Sequence, residues 1–162
     1  MDAEGSVPRA WRRERRGPAS EDLMGPVVKN ILAVVGGLVA GSVVNMTIVM
    51  AGNALVPPPA GMDPQDPASI AAHMHLFGPL NFAVPWLAHA LGTLAGAALA
   101  ARLAATRPFA LALGIGGFFL LGGIAASMMI PAPWWFIALD LLAAYLPMAW
   151  LGQRLGAPKA SA

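Results

Sequence analysis

The chain has 162 residues, of which 57% are hydrophobic and only 11% charged, with a formal net charge of +2. A soluble domain carries roughly 25% charged residues, so this composition excludes an ordinary water-facing globule. The absence of cysteine excludes disulfides, thiolate metal sites and a cysteine nucleophile.

Residues 1–26 are polar, basic and rich in Gly and Pro, and Arg12-Arg13-Glu14-Arg15-Arg16 forms a charge run. This composition predicts a disordered cytoplasmic tail that reinforces membrane orientation, not a nucleic-acid arm. Met24-Gly25-Pro26 leads straight into the first apolar run and offers an alternative start. Four apolar runs follow, at 27–51, 82–104, 109–130 and 134–155. Each matches the roughly 20 residues needed to cross a hydrocarbon core of about 30 Å. The first run is too long for a signal-peptide core and lacks a small-x-small cleavage site after it, so it reads as an uncleaved membrane helix.

The connection 52–81 is the only sizeable loop, and it carries Pro57-Pro58-Pro59 and then Asp63-Pro64-Gln65-Asp66-Pro67. Asp66 followed by Pro67 has the pattern of an N-cap with proline at N1. It predicts a short helix from Pro67 to about Phe77, ended by Gly78-Pro79, with Ile70, Met74 and Phe77 as its apolar stripe. The other connections, around 105–108 and 131–133, are short and predict antiparallel helix hairpins. Trp86, Trp134, Trp135 and Trp150 fall at the ends of the second and fourth runs, where aromatic rings meet headgroups. Pro147 predicts a kink in the fourth helix. Residues 156–162 form a second short tail.

All ten Lys and Arg residues fall on one side if the runs cross alternately, whereas Asp63 and Asp66 fall on the other. By the positive-inside rule, the chain is a bundle of four transmembrane α-helices with both termini cytoplasmic and the 52–81 loop outside. The expected setting is a bacterial inner membrane, whose small four-helix proteins the chain resembles as a class. Gly37, Gly41, Gly92, Gly96, Gly114, Gly116, Gly117, Gly122 and Gly123 permit close backbone approach. They can serve packing within the chain, a homodimer, or contact with another membrane protein. The sequence leaves these open. The lipid bilayer is the one partner the composition requires.

Away from the ends of the runs lie three strongly polar side chains: Asn45, His89 and Asp140. Counting inward at 1.5 Å per residue puts all three roughly 7–10 Å below the outer edge of the hydrocarbon core. Thr93 lies one turn inward from His89, and Ser127 somewhat nearer the boundary. A lone carboxylate in hydrocarbon is costly, so Asp140 must face protein or water or stay protonated, and a neighbouring His89 would share its proton and lower that cost. Asn45, His89, Thr93 and Asp140 are therefore the candidate polar or ion site, read either as a packing clasp or as an outward-open ion or proton site. His73-Met74-His75 suggests a metal, since imidazole and thioether suit copper or zinc, but residues two apart on a helix point in opposite directions. Met46 and Met50 are spaced one turn apart but are also ordinary apolar gap-fillers. The chain has too few buried histidines for a bis-histidine haem, and no phosphate loop, nucleophile elbow or zinc-protease pair. The expectation is a non-catalytic accessory or assembly protein without a cofactor, with ion, proton or metal handling as the alternative.

Overall fold

The computed structural model describes residues 25–130 and 132–157. The basic run, Met24 and Lys159 lie outside the described residues. The described chain is all helical, without a strand. Its elements are α1 (Pro26–Leu55), α2 (Pro67–His73) with a single 3₁₀ turn at Met74–Leu76, α3 (Pro79–Leu103), α4 (Pro108–Met129), α5 (Trp134–Ala143) and α6 (Leu146–Gly156). The helices α1, α3 and α4, and α5 with α6 taken together, are long and apolar enough to make four membrane spans.

The helix starts follow local chemistry. Proline opens α1, α3 and α4, where its missing N–H has no helical partner to lose. At α2 the Asp66 carboxylate accepts from the backbone N–H groups of Ala68 at 3.0 Å and Ser69 at 3.2 Å. The α-helix ends at His73, short of Phe77, because the chain tightens into the 3₁₀ turn. Before α3, the Asn81 side chain accepts from Gly78 N–H at 2.9 Å.

The fourth span is broken at Ala144-Tyr145, where Tyr145 leaves helical geometry at φ −115° and ψ −80°. Pro147 explains the position. It cannot donate to the carbonyl of Ala143, and its ring crowds that carbonyl, so the helix cannot run on through this turn. The break separates α5 from α6 and turns the Tyr145 side chain back toward Asp140.

The spans pack around α3, which touches α1, α4, α5 and α6. Against α1 the contact is glycine on glycine. A Cβ on Gly96 would lie 2.6 Å from the Gly37 carbonyl oxygen, and one on Gly92 would lie 2.8 Å from that of Gly41. The reverse contacts are equally tight, at 2.7 Å and 2.8 Å. Gly152 and Gly156 bring α6 onto the backbone of α3 in the same way, and Gly116 admits Ala149. The core at this end is accordingly small: Ala97, Ala100, Ala101, Ala112, Ile115 and Ala149. Lipid offers little hydrophobic drive between helices, so close van der Waals contact must hold them, and small residues permit it.

Large apolar side chains point outward instead. Ile31, Val35, Val39, Val43, Met46 and Met50 make a stripe along α1 that suits acyl chains. Trp134 and Trp135 are exposed at the start of α5, and Trp150 carries Arg154 over its ring at 3.9 Å. Trp86 departs from the headgroup-anchor expectation: it packs against the Ala90, Ala144 and Tyr145 cluster, and its buried indole N–H has no hydrogen-bond partner among the described residues.

Candidate functional site, a His–Asp–Tyr cluster between two cavities

His89 projects from α3 and Asp140 from α5, and their side chains meet directly. His89 Nδ1 lies 2.9 Å from Asp140 Oδ1 and 3.0 Å from Oδ2. A carboxylate only accepts, so Nδ1 carries the proton and donates. Tyr145 completes the cluster, donating its hydroxyl to Asp140 Oδ2 at 3.0 Å. The Tyr145 ring also stacks on the His89 imidazole, with centroids 5.7 Å apart and an interplanar angle of 27°.

The three groups differ in access. The Asp140 side chain is 7% exposed and that of His89 is 28% exposed. The carboxylate is sealed between two donors while an edge of the imidazole stays open. His89 Nε2 has no hydrogen-bond partner among the described residues. In a low-dielectric interior this is a coherent arrangement. The buried carboxyl is met by two hydrogen-bond partners, and the more open His89 ring borders neighbouring space.

That space is two cavities that share His89 as a wall. One, of about 330 Å³, lies under the 56–78 connection; its apolar lining includes Ile70, Met74, Phe77, Phe82, Phe136 and Ile137. The stripe of α2 and its 3₁₀ turn thus faces this cavity. The second, of about 320 Å³, lies among α1, α3 and α4 and is lined by Asn45, Thr93 and Phe119 among others. His89, Gly123 and Ala126 line both. Phe82 is the hub of the aromatic roof, touching Phe77, Trp135 and Phe136 with centroids 5.1–5.5 Å apart.

The residues singled out from the sequence divide accordingly. His89 and Asp140 are hydrogen-bonded. Asn45 and Thr93 line the second cavity with His89, and neither bonds to Asp140. Thr93 is 1% exposed. Ser127 lines the first cavity and donates its hydroxyl to the Ile124 carbonyl at 2.8 Å. His73 and His75 lie apart from both cavities. Their Nδ1 atoms lie 2.8 Å from the Ser69 carbonyl and 3.0 Å from that of Ala72, so each ring is tied to its own backbone. His73 Nε2 faces the turn at Gly61, and His75 is exposed. No group of three or more His, Asp or Glu side chains suited to a metal ion occurs among the described residues.

Tyr145 is the member that sequence reasoning missed. Five residues after Asp140, it would sit on another face of an unbroken helix, and only the break before Pro147 returns it. The usable signals were its standing as the single tyrosine of the chain and its place two residues before that proline. A second polar tie also went unread, at the opposite end of the bundle. Asn30 of α1 accepts from the backbone N–H groups of Ala105 at 2.9 Å and Thr106 at 3.2 Å, and donates to the Thr106 hydroxyl at 2.8 Å.

Set against protein-family models, curated proteins and solved structures, the chain finds no match. Its chemistry is therefore read from this geometry alone.

Proposed function

We propose that this chain is a non-catalytic accessory or assembly protein of a bacterial inner membrane, with the His89–Asp140–Tyr145 cluster as its internal clasp. One observation carries the reading: both Asp140 oxygens are met from within the chain, by His89 of α3 and by Tyr145 beyond the helix break. The bonds fasten α5, which otherwise packs lightly, onto α3. Both termini are cytoplasmic in this reading and the 56–78 connection is outside, supported by the one-sided placement of Lys and Arg. Reporter fusions at Ala60 and Ala105 test it. An outside signal at Ala105 or an inside signal at Ala60 overturns the orientation.

The glycines narrow where a partner or second copy would sit. Gly37, Gly41, Gly92, Gly96 and Gly123 already face neighbouring spans, so they are removed as outer contact surfaces. Gly114 and Gly117 of α4 meet nothing within 4 Å among the described residues and line neither cavity, which favours α4 as the associating helix. Purification from native membranes should recover a second copy or another membrane protein, and Gly114→Leu should reduce that recovery without lowering the yield of folded chain. Recovery of the chain alone counts against the assembly role.

One observation favours the alternative, ion or proton handling through Asn45, His89, Thr93 and Asp140. His89 borders both cavities, and its Nε2 has no hydrogen-bond partner among the described residues. Reconstitution in vesicles with an internal pH dye separates the readings. A flux that Asp140→Asn abolishes establishes the alternative, and its absence leaves the clasp.

A further inference from the structure

We propose that the cavity beneath the 56–78 connection binds a neutral hydroxylated aromatic ring, whose hydroxyl donates to His89 Nε2. The cavity holds about 330 Å³, at the small end of the roughly 300–1,000 Å³ usual for ligand pockets. That is room for about eleven waters' share of liquid, and so for a small ring system. Its apolar lining includes three aromatic rings, Phe77, Phe82 and Phe136, and offset or edge-to-face contacts make such walls suited to another ring.

The polar atoms decide the ligand's chemistry. Nδ1 is turned to Asp140, so the tautomer of the neutral imidazole that fits this contact carries its lone pair at Nε2. Ser127 has committed its proton to the Ile124 carbonyl, so its oxygen also faces the cavity as an acceptor. A donor is required to meet them, and a carbonyl or ether oxygen cannot supply one. Among the described residues no Lys or Arg lines the cavity, and the one carboxyl that does is already shared by two partners. A charged solute would lack a counter-charge there. The Asn53 and Asn81 amides also line the cavity. A ring hydroxyl reaches such a site from two sources: a free phenol from the aqueous side, or the reduced headgroup of a lipid-borne quinol from the bilayer.

This inference goes beyond the clasp reading and is separable from it, because the clasp is read in folding stability and the ligand in binding. The test uses the full chain in lipid nanodiscs, with β-naphthol, its methyl ether and reduced decylubiquinol as probes in titration calorimetry. β-Naphthol should bind at least about tenfold more tightly than the ether, which keeps the ring and loses the donor. His89→Phe should erase that preference. Ala126→Leu, which narrows the cavity and leaves His89, Asp140 and Tyr145 in place, should weaken β-naphthol by a similar factor. Tighter binding of decylubiquinol than of β-naphthol identifies the bilayer source, and the reverse order the aqueous one. Equal affinity for naphthol and ether, no binding of either, or unchanged binding in Ala126→Leu overturns the proposal.

Discussion

The two halves of the fourth span solve the same problem in opposite ways. α6 lies on α3 through Gly152 and Gly156, backbone against backbone, beside a core of alanines. α5 has no glycine and stands off α3, tied to it by a His–Asp bond and by the Phe82 aromatic cluster. Where side chains are small, the space between helices vanishes. Where they are large and polar, a cavity opens and a few specific bonds must hold its wall. The same division runs through the first span: α1 meets α3 glycine to glycine at Gly37 and Gly41, while Asn45, one turn on from Gly41, lines a cavity.

The largest effect should come from forcing the close-packed half apart. Gly96→Leu drives a side chain into the Gly37 carbonyl and should cost about 3 kcal/mol or more, read as loss of the folded band in reversible detergent unfolding. A variant as stable as the parent breaks the comparison at its firmer end. Next comes Asp140→Leu, which leaves the His89 and Tyr145 donors unmet; a loss of about 1–3 kcal/mol is expected in the same measurement. Restoring most of it by replacing all three members with apolar residues would show that the cluster is a clasp and nothing more in folding terms. Tyr145→Phe removes a single hydrogen bond and should cost about 0.5–1 kcal/mol. Gly114→Ala should change stability by less than about 0.5 kcal/mol, because its added methyl meets open space. A large loss there would mean that the outer face of α4 is occupied in the membrane.

Much of the close-packed half could be read from the letters. The four spans follow from apolar run length, and the structure sets their ends within a few residues of the turn and proline signals. The Asp66 cap and the disturbance at Pro147 are local, and local chemistry foretold them. The meeting of His89 with Asp140 was suggested by depth alone, since a buried carboxylate needs a partner at its own level. Tyr145 was not readable because its direction depends on a break whose location the proline only approximates. Trp86 looked like an interfacial anchor by position, yet its ring turns inward to the Tyr145 cluster, a choice made by tertiary packing. The role of each glycine was equally hidden: Gly116 and Gly117 are sequence neighbours, but one admits Ala149 and the other meets nothing. Periodicity gives the faces of a helix, not which neighbour each face will find.

Asn30 has a consequence for how the chain can be cut. Its side chain reaches across 75 positions of sequence to take both backbone N–H groups of the turn between α3 and α4. A protease must draw several residues of backbone into an extended strand, and here that would require breaking those bonds and the left-handed residue Arg107 that follows them. The 57–66 stretch, whose hydrogen bonds among the described residues span at most six positions, has no such lock. Nicking, insertion of an epitope, or splitting into complementing halves should therefore succeed in the long connection and fail at 104–107, although the latter lies nearer the middle of the four spans.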